Sequence, residues 1–99
     1  MINHVVLFKL KDYPEQEKGE IINELKNLLL GLKDKIKELK YIEVGTNYEL
    51  QAKSYDIALL SHFENEEDLN KYRVHPEHLK VVERIKETTS ERSAVDYNF

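Results

Sequence analysis

The stretch Ile2-Asn3-His4-Val5-Val6-Leu7-Phe8-Lys9-Leu10 decides the fold. Side chains of an extended strand alternate between two faces. Ile2, His4, Val6, Phe8 and Leu10 therefore share one side, and Asn3, Val5, Leu7 and Lys9 the other. Both sides are aliphatic at the centre, which predicts a strand covered on two faces. Residues 56–63 have the same character, because Ile57, Ala58, Leu59 and Leu60 form an unbroken apolar run.

Between these strands, Lys11-Asp12-Tyr13-Pro14 announces a helix. Asp12 can cap it, Pro14 suits its first turn, and Glu15 and Glu17 favour the positive dipole end. Ile21, Ile22, Leu25, Leu28, Leu29 and Leu32 recur at three- and four-residue steps over 14–33, with Gly31 near the end. Residues 39–48 predict a strand with Ile42, Val44, Thr46 and Tyr48 on one side, followed by a polar connection over 49–55. Asn65 caps a short helix that has Glu66, Glu67 and Asp68 in its first turn and carries Leu69 and Tyr72. Pro76 disfavours helical geometry at His75, so that helix stops near Val74. Pro76 then opens another helix with Leu79, Val82 and Ile85 on its apolar side, Val81 on the flank, and an end at 88–90. Residues 93–99 close the chain as a strand with Val95, Tyr97 and Phe99 on one face.

The order is β-α-β-β-α-β with the second helix broken in two. It matches the ferredoxin-like α+β plan, a four-stranded antiparallel sheet with its helices on one face. That plan puts the first and third strands at the centre, and these are the two with apolar residues on both faces. Helices cover only one face, so Val5, Leu7, Ala58 and Leu60 remain on an open sheet. His62 joins them, its parity being opposite to that of Ile57 and Phe63. Exposed apolar patches mark interfaces. The simplest cover is a second copy packed sheet against sheet about a two-fold axis.

Composition narrows the function classes. The chain has 99 residues and a net charge of −4, and a domain of this size buries only about two-thirds of its unfolded surface. The acidic balance argues against nucleic acid or an anionic membrane as partner. With no cysteine there is no disulfide, thiolate nucleophile or Cys-ligated metal. No stretch approaches the roughly 20 apolar residues of a membrane span. The start lacks the basic region and cleavage site of a signal peptide, so a reducing cytoplasm is the expected location. Lysines 33, 35, 37 and 40 alternate with Asp34 and Glu38, which describes a solvated surface. Three glycines leave no nucleotide fingerprint.

His4-Val5-Val6-Leu7-Phe8-Lys9-Leu10-Lys11, Ile42-Glu43-Val44-Gly45, Tyr55-Asp56-Ile57-Ala58-Leu59, Phe63-Glu64 and Tyr72-Arg73-Val74-His75-Pro76-Glu77-His78 together resemble the stress-responsive α/β-barrel (Dabb) family. The resemblance spans essentially the whole chain, and Tyr-x-x-His-Pro-x-His is its most specific element. It implies a single Dabb-like domain over 1–99 that forms a dimeric α+β barrel. Many members are small stress-associated proteins without a defined activity, and some plant members are polyketide cyclases that use no organic cofactor.

The residues with chemistry to offer are His4, Tyr72, His75 and His78. The first strand and the helix–Pro76–helix corner direct them toward one spot between helices and sheet, where Val6, Phe8, Ile57, Leu59 and Phe63 would line a pocket. A neutral histidine with a reference pKa of about 6.5 can take and return a proton near neutral pH. A tyrosine hydroxyl can hydrogen-bond an enolate. His78 as base and Tyr72 as electrostatic partner therefore suit an aldol-type ring closure, and the resemblance to the cyclases assigns them those roles, with His4 lining the pocket. Ile57, however, stands where the cyclase members carry a pocket histidine, which makes the same cyclisation doubtful and leaves room for a more apolar ligand. Structural roles compete: His75 can cap the helix behind it, while Tyr72 and His4 can be core residues with paired polar atoms. His75 and His78 are split by a helix start and no HExxH spacing exists, so a metal site is the weaker alternative and no cofactor is expected. The sequence thus predicts a homodimer that binds an apolar or aromatic small molecule. A cyclase-like lyase and a non-catalytic stress or structural protein are the alternatives.

Overall fold

The computed structural model describes residues 1–49 and 53–99. The elements are β1 (Ile2–Leu10), α1 (Glu15–Leu30), β2 (Tyr41–Thr46), β3 (Ile57–Phe63), α2 (Glu66–Val74), α3 (Pro76–Thr88) and β4 (Thr89–Asn98). The strands pair antiparallel in the order β2-β3-β1-β4. The fold is therefore ferredoxin-like, with β1 and β3 central as the sequence predicts. Val5 lies opposite Leu60 and Leu7 opposite Ala58. Part of the connection expected over 49–55 lies outside the described residues.

The core lies between the sheet and the helices. Val6, Leu59 and Phe63 on the sheet meet Leu25 and Leu29 of α1 and Leu69 of α2, all buried. Each such side chain contributes about 1.5–3 kcal/mol by leaving water. On the other face Val5, Leu7, Ala58, Leu60 and His62 are only half-buried. Val95 and Tyr97 of β4 share that face and are exposed.

Several boundaries differ from the sequence reading for local reasons. Pro14, not Asp12, occupies the position before α1, where its carbonyl accepts a 2.8 Å bond from the Lys18 amide. Leu28 turns to solvent, and α1 tightens into a 3-10 turn over Gly31–Asp34 that keeps Leu32 buried. Leu39 does not open β2. Its amide closes a turn onto the Ile36 carbonyl, and its side chain joins the core. At the other end of β2, Tyr48 is 97% exposed and lies outside the strand.

Asp56 stands just before β3, with its amide bonded to the Phe8 carbonyl and its side chain buried. One carboxylate oxygen accepts the Leu10 amide at 2.8 Å, and the other pairs with Lys18 at 3.1 Å. The α3 stripe is rotated from the expected one, with Val81 buried, Val82 half-buried and Leu79 exposed. β4 starts at Thr89 without a loop. The hydroxyls of Thr88 and Thr89 bond back to the Arg84 and Ile85 carbonyls near the end of α3. Polar residues 89–93 hide this strand from a periodicity search, because backbone pairing with β1 is what makes it a strand.

Candidate functional site

The α2–α3 corner builds the site through its backbone hydrogen bonds. Pro76 has no amide hydrogen, and the Tyr72 carbonyl takes the His75 amide instead at 3.1 Å. The Glu77 amide, in the first turn of α3 and without an intrahelical partner, donates to Nδ1 of the His75 ring at 3.1 Å. The Arg73 carbonyl, left open where α2 ends, accepts from Nδ1 of His78, 3.1 Å away. This bond fixes the His78 tautomer and leaves its Nε2 as an acceptor. His75 is thus the cap of α3, the structural role that competes with its place in the pocket set.

β4 supplies the other half. His4 and Asp96 are register partners on β1 and β4, and Nδ1 of His4 donates to the Asp96 carboxylate. The second Asp96 oxygen accepts from Arg73 at 2.8 Å, and Arg73 also donates to Asn70 at 3.0 Å. Arg73 therefore holds both imidazoles, His78 through its carbonyl and His4 through Asp96. Sequence reasoning singled out neither Arg73 nor Asp96. The opposite parity of Asp96 to Val95 and Tyr97 put it on the helix side, but only the β1–β4 register pairs it with His4.

Burial lowers the pKa of His4 from the usual 6.5, against the opposing pull of Asp96. Burial likewise lowers that of His78, with the bond to the Arg73 carbonyl working the other way. Burial by itself would raise Asp96, but the hydrogen bond from His4 and the charges beside it hold the carboxyl below its usual range. A neutral His4 donating to an ionised Asp96 accommodates both shifts. The sign for stability follows. A histidine with a lowered folded-state pKa contributes fully above about 6.5 and loses that contribution as pH falls through its folded value, since the unfolded chain binds the proton first. The melting temperature is therefore expected to fall more steeply below pH 6.5 in the wild type than in His4→Gln. Parallel melting-temperature curves for the two proteins would refute this.

Between helices and sheet lies a cavity of about 470 Å³, within the size range of small-molecule sites. Val6, Phe8 and Leu59 of the sheet and Leu79, Val82 and Ile85 of α3 supply apolar lining, and His4 and His78 add imidazoles. Residues 89–92 of β4 complete the lining. The rotation of α3 thus sends Leu79 and Val82 to the cavity. Other expected pocket residues lie elsewhere. Phe63 and Ile57 are buried in the core, and Ile57 borders a separate small depression beside Leu7 and Ala58.

Tyr72 does not line the cavity either. Its ring packs against His78 at 4.2 Å between centroids and meets His4 edge-on at 6.4 Å. Its hydroxyl is buried without a hydrogen-bond partner, and burial pushes its pKa up to about 12, so it stays protonated at neutral pH. Among the described residues no group of three or more His, Asp or Glu is placed to hold a metal ion, and no helix is long and apolar enough to cross a membrane.

A ferredoxin-like layer, one apolar sheet face left open and a cavity at the helix corner define the class. The family model of the stress responsive A/B barrel domain, Dabb, matches residues 2–99, and the chain belongs to that family. The stress-response A/B barrel domain-containing protein DABB1 of Arabidopsis thaliana is 33% identical over 103 residues. The match covers 98% of this chain but 46% of that protein, so the chain spans less than half of its relative's length. A crystal structure of a dimeric protein of unknown function and ferredoxin-like fold from Bacteroides fragilis superposes with a TM-score of 0.91 at 39% identity, covering 99% of this chain and 95% of the other. A dimeric ferredoxin-like protein of unknown function from Thermobifida fusca follows at 0.84 and 26%, covering 99% and 90%.

Proposed function

We propose that the protein is a homodimer, paired through its open sheet face, that binds an apolar or aromatic small molecule in the cavity beside His4 and His78. The observation that carries the ligand reading is the position of Leu79 and Val82, which line a 470 Å³ space with two neutral imidazoles instead of closing into the core. Support for pairing comes from the half-buried aliphatic face of β1 and β3 and from the dimeric neighbours. A thermal-shift screen of apolar and aromatic compounds tests the ligand reading when repeated on Tyr72→Phe and His78→Ala. His78→Ala is expected to weaken the best ligand about tenfold while moving Tm by less than about 4 °C, equivalent to under 1 kcal/mol. A large fall in Tm with ligand binding unchanged would place His78 in the structural framework instead.

A second reading, proton transfer by His78, is favoured by its fixed tautomer with Nε2 available. In this reading His78 is the base, and Tyr72 acts through its packing against that ring. Loss of turnover without loss of binding in His78→Ala would select it over simple ligand binding.

A further inference from the structure

The charges around the cavity run against the charge of the chain. The whole sequence carries −4, yet the lining holds Arg73, Lys86 and Arg92 against a single acid, Glu91. Arg73 is committed to Asp96. Among the described residues neither Lys86 nor Arg92 meets a carboxylate, whereas Arg84 on the same helix as Lys86 is held by Glu24 and Glu87. Arg92 sits on the helix-side face of β4, in register with Phe8, whose ring lines the same cavity. Lys86 follows Ile85, another lining residue, on α3. Two unpaired cations from different elements therefore flank one apolar space. The field reaches the imidazoles too, since the charge on Arg92 adds to the burial that lowers both His4 and His78.

Resting on the ligand-binding reading above, we infer that the cavity selects an organic monoanion, an apolar or aromatic body bearing one carboxylate, with Lys86 and Arg92 receiving the charge and the Val6, Phe8 and Val82 surface receiving the body. An anion meeting cations at the rim of this cavity gains ion-pair attraction that a neutral analogue, limited to a single ionised partner, does not. The apolar walls disfavour a small inorganic anion, which would lose hydration and fill none of the space.

The test compares 2-naphthoate with 2-naphthamide, which share a ring system and differ in charge. Dissociation constants are measured by calorimetry on wild type, Lys86→Gln, Arg92→Gln and the double variant. The acid is expected to bind wild type about tenfold more tightly than the amide, the size of one charge-assisted bond over a neutral one. The preference should shrink as salt is raised and collapse to within about threefold in the double variant, with amide binding weakened less than acid binding. Both side chains are exposed, so the variants should keep the wild-type melting temperature. Equal binding of acid and amide to wild type overturns the charge assignment and leaves the apolar pocket standing. Binding of neither compound, with no other ligand found in the screen above, overturns both.

Discussion

Asp56→Ala is expected to cost the fold about 3 kcal/mol, at the lower end for removing one partner of a buried ion pair. That corresponds to a fall in Tm of roughly 12–24 °C for a chain of this size. Asp56 is 1% exposed and serves three elements. Its carboxylate accepts the Leu10 amide at the end of β1 and pairs with Lys18 of α1, while its own carbonyl accepts the Asn47 amide just beyond β2. Alanine keeps the backbone bonds, strips the Leu10 amide of its acceptor and takes this carboxylate from Lys18. Asp56→Asn keeps an oxygen for Leu10 and loses only the charge, so it should cost about half as much. Thermal denaturation followed by circular dichroism measures both. A loss below about 1 kcal/mol in the alanine variant would mean that water takes over these contacts.

The other large effect belongs to Leu60→Asp. Leu60 lies at the centre of the open face, opposite Val5, which is in turn opposite Val95 of β4. In a two-fold pair each surface meets its own copy, so one substitution would bury two like charges in an apolar contact. Light scattering should then report the 11.8 kDa chain mass in place of twice that value, with the far-ultraviolet spectrum retained because the helix-side core is untouched. An unchanged dimer would place the contact on another surface.

The architecture was legible because it rests on alternation. Apolar residues on both sides of Ile2–Leu10 and Ile57–Phe63 identified the central strands and the uncovered face before any contact was known. The site was legible only in part. His4 and His78 do face one cavity, but the groups that orient them were not apparent, since Asp96 reaches His4 through strand register and Arg73 offers His78 a carbonyl left open where α2 ends. The expected convergence of Tyr72, Ile57 and Phe63 on the pocket failed for a packing reason. These large side chains are what fills the core once α3 turns Val81 inward. The start of β4 at Thr89 leaves no mark in the sequence pattern, because hydroxyl and charged residues in a strand exposed on nearly every position carry no periodic signal.

That strand has a consequence of its own. β4 follows α3 with no intervening loop, so the helix end determines which way each of its side chains points. One parity gives Arg92 and Asp96 to the helix side, and the other gives Val95 and Tyr97 to the open face. A slip of a single residue would exchange the two sets, turning Val95 and Tyr97 toward the helices and Arg92 and Asp96 onto the open sheet face in one stroke. The cavity wall and the open face are thus two sides of the same ten residues, phased by the Thr88–Thr89 junction.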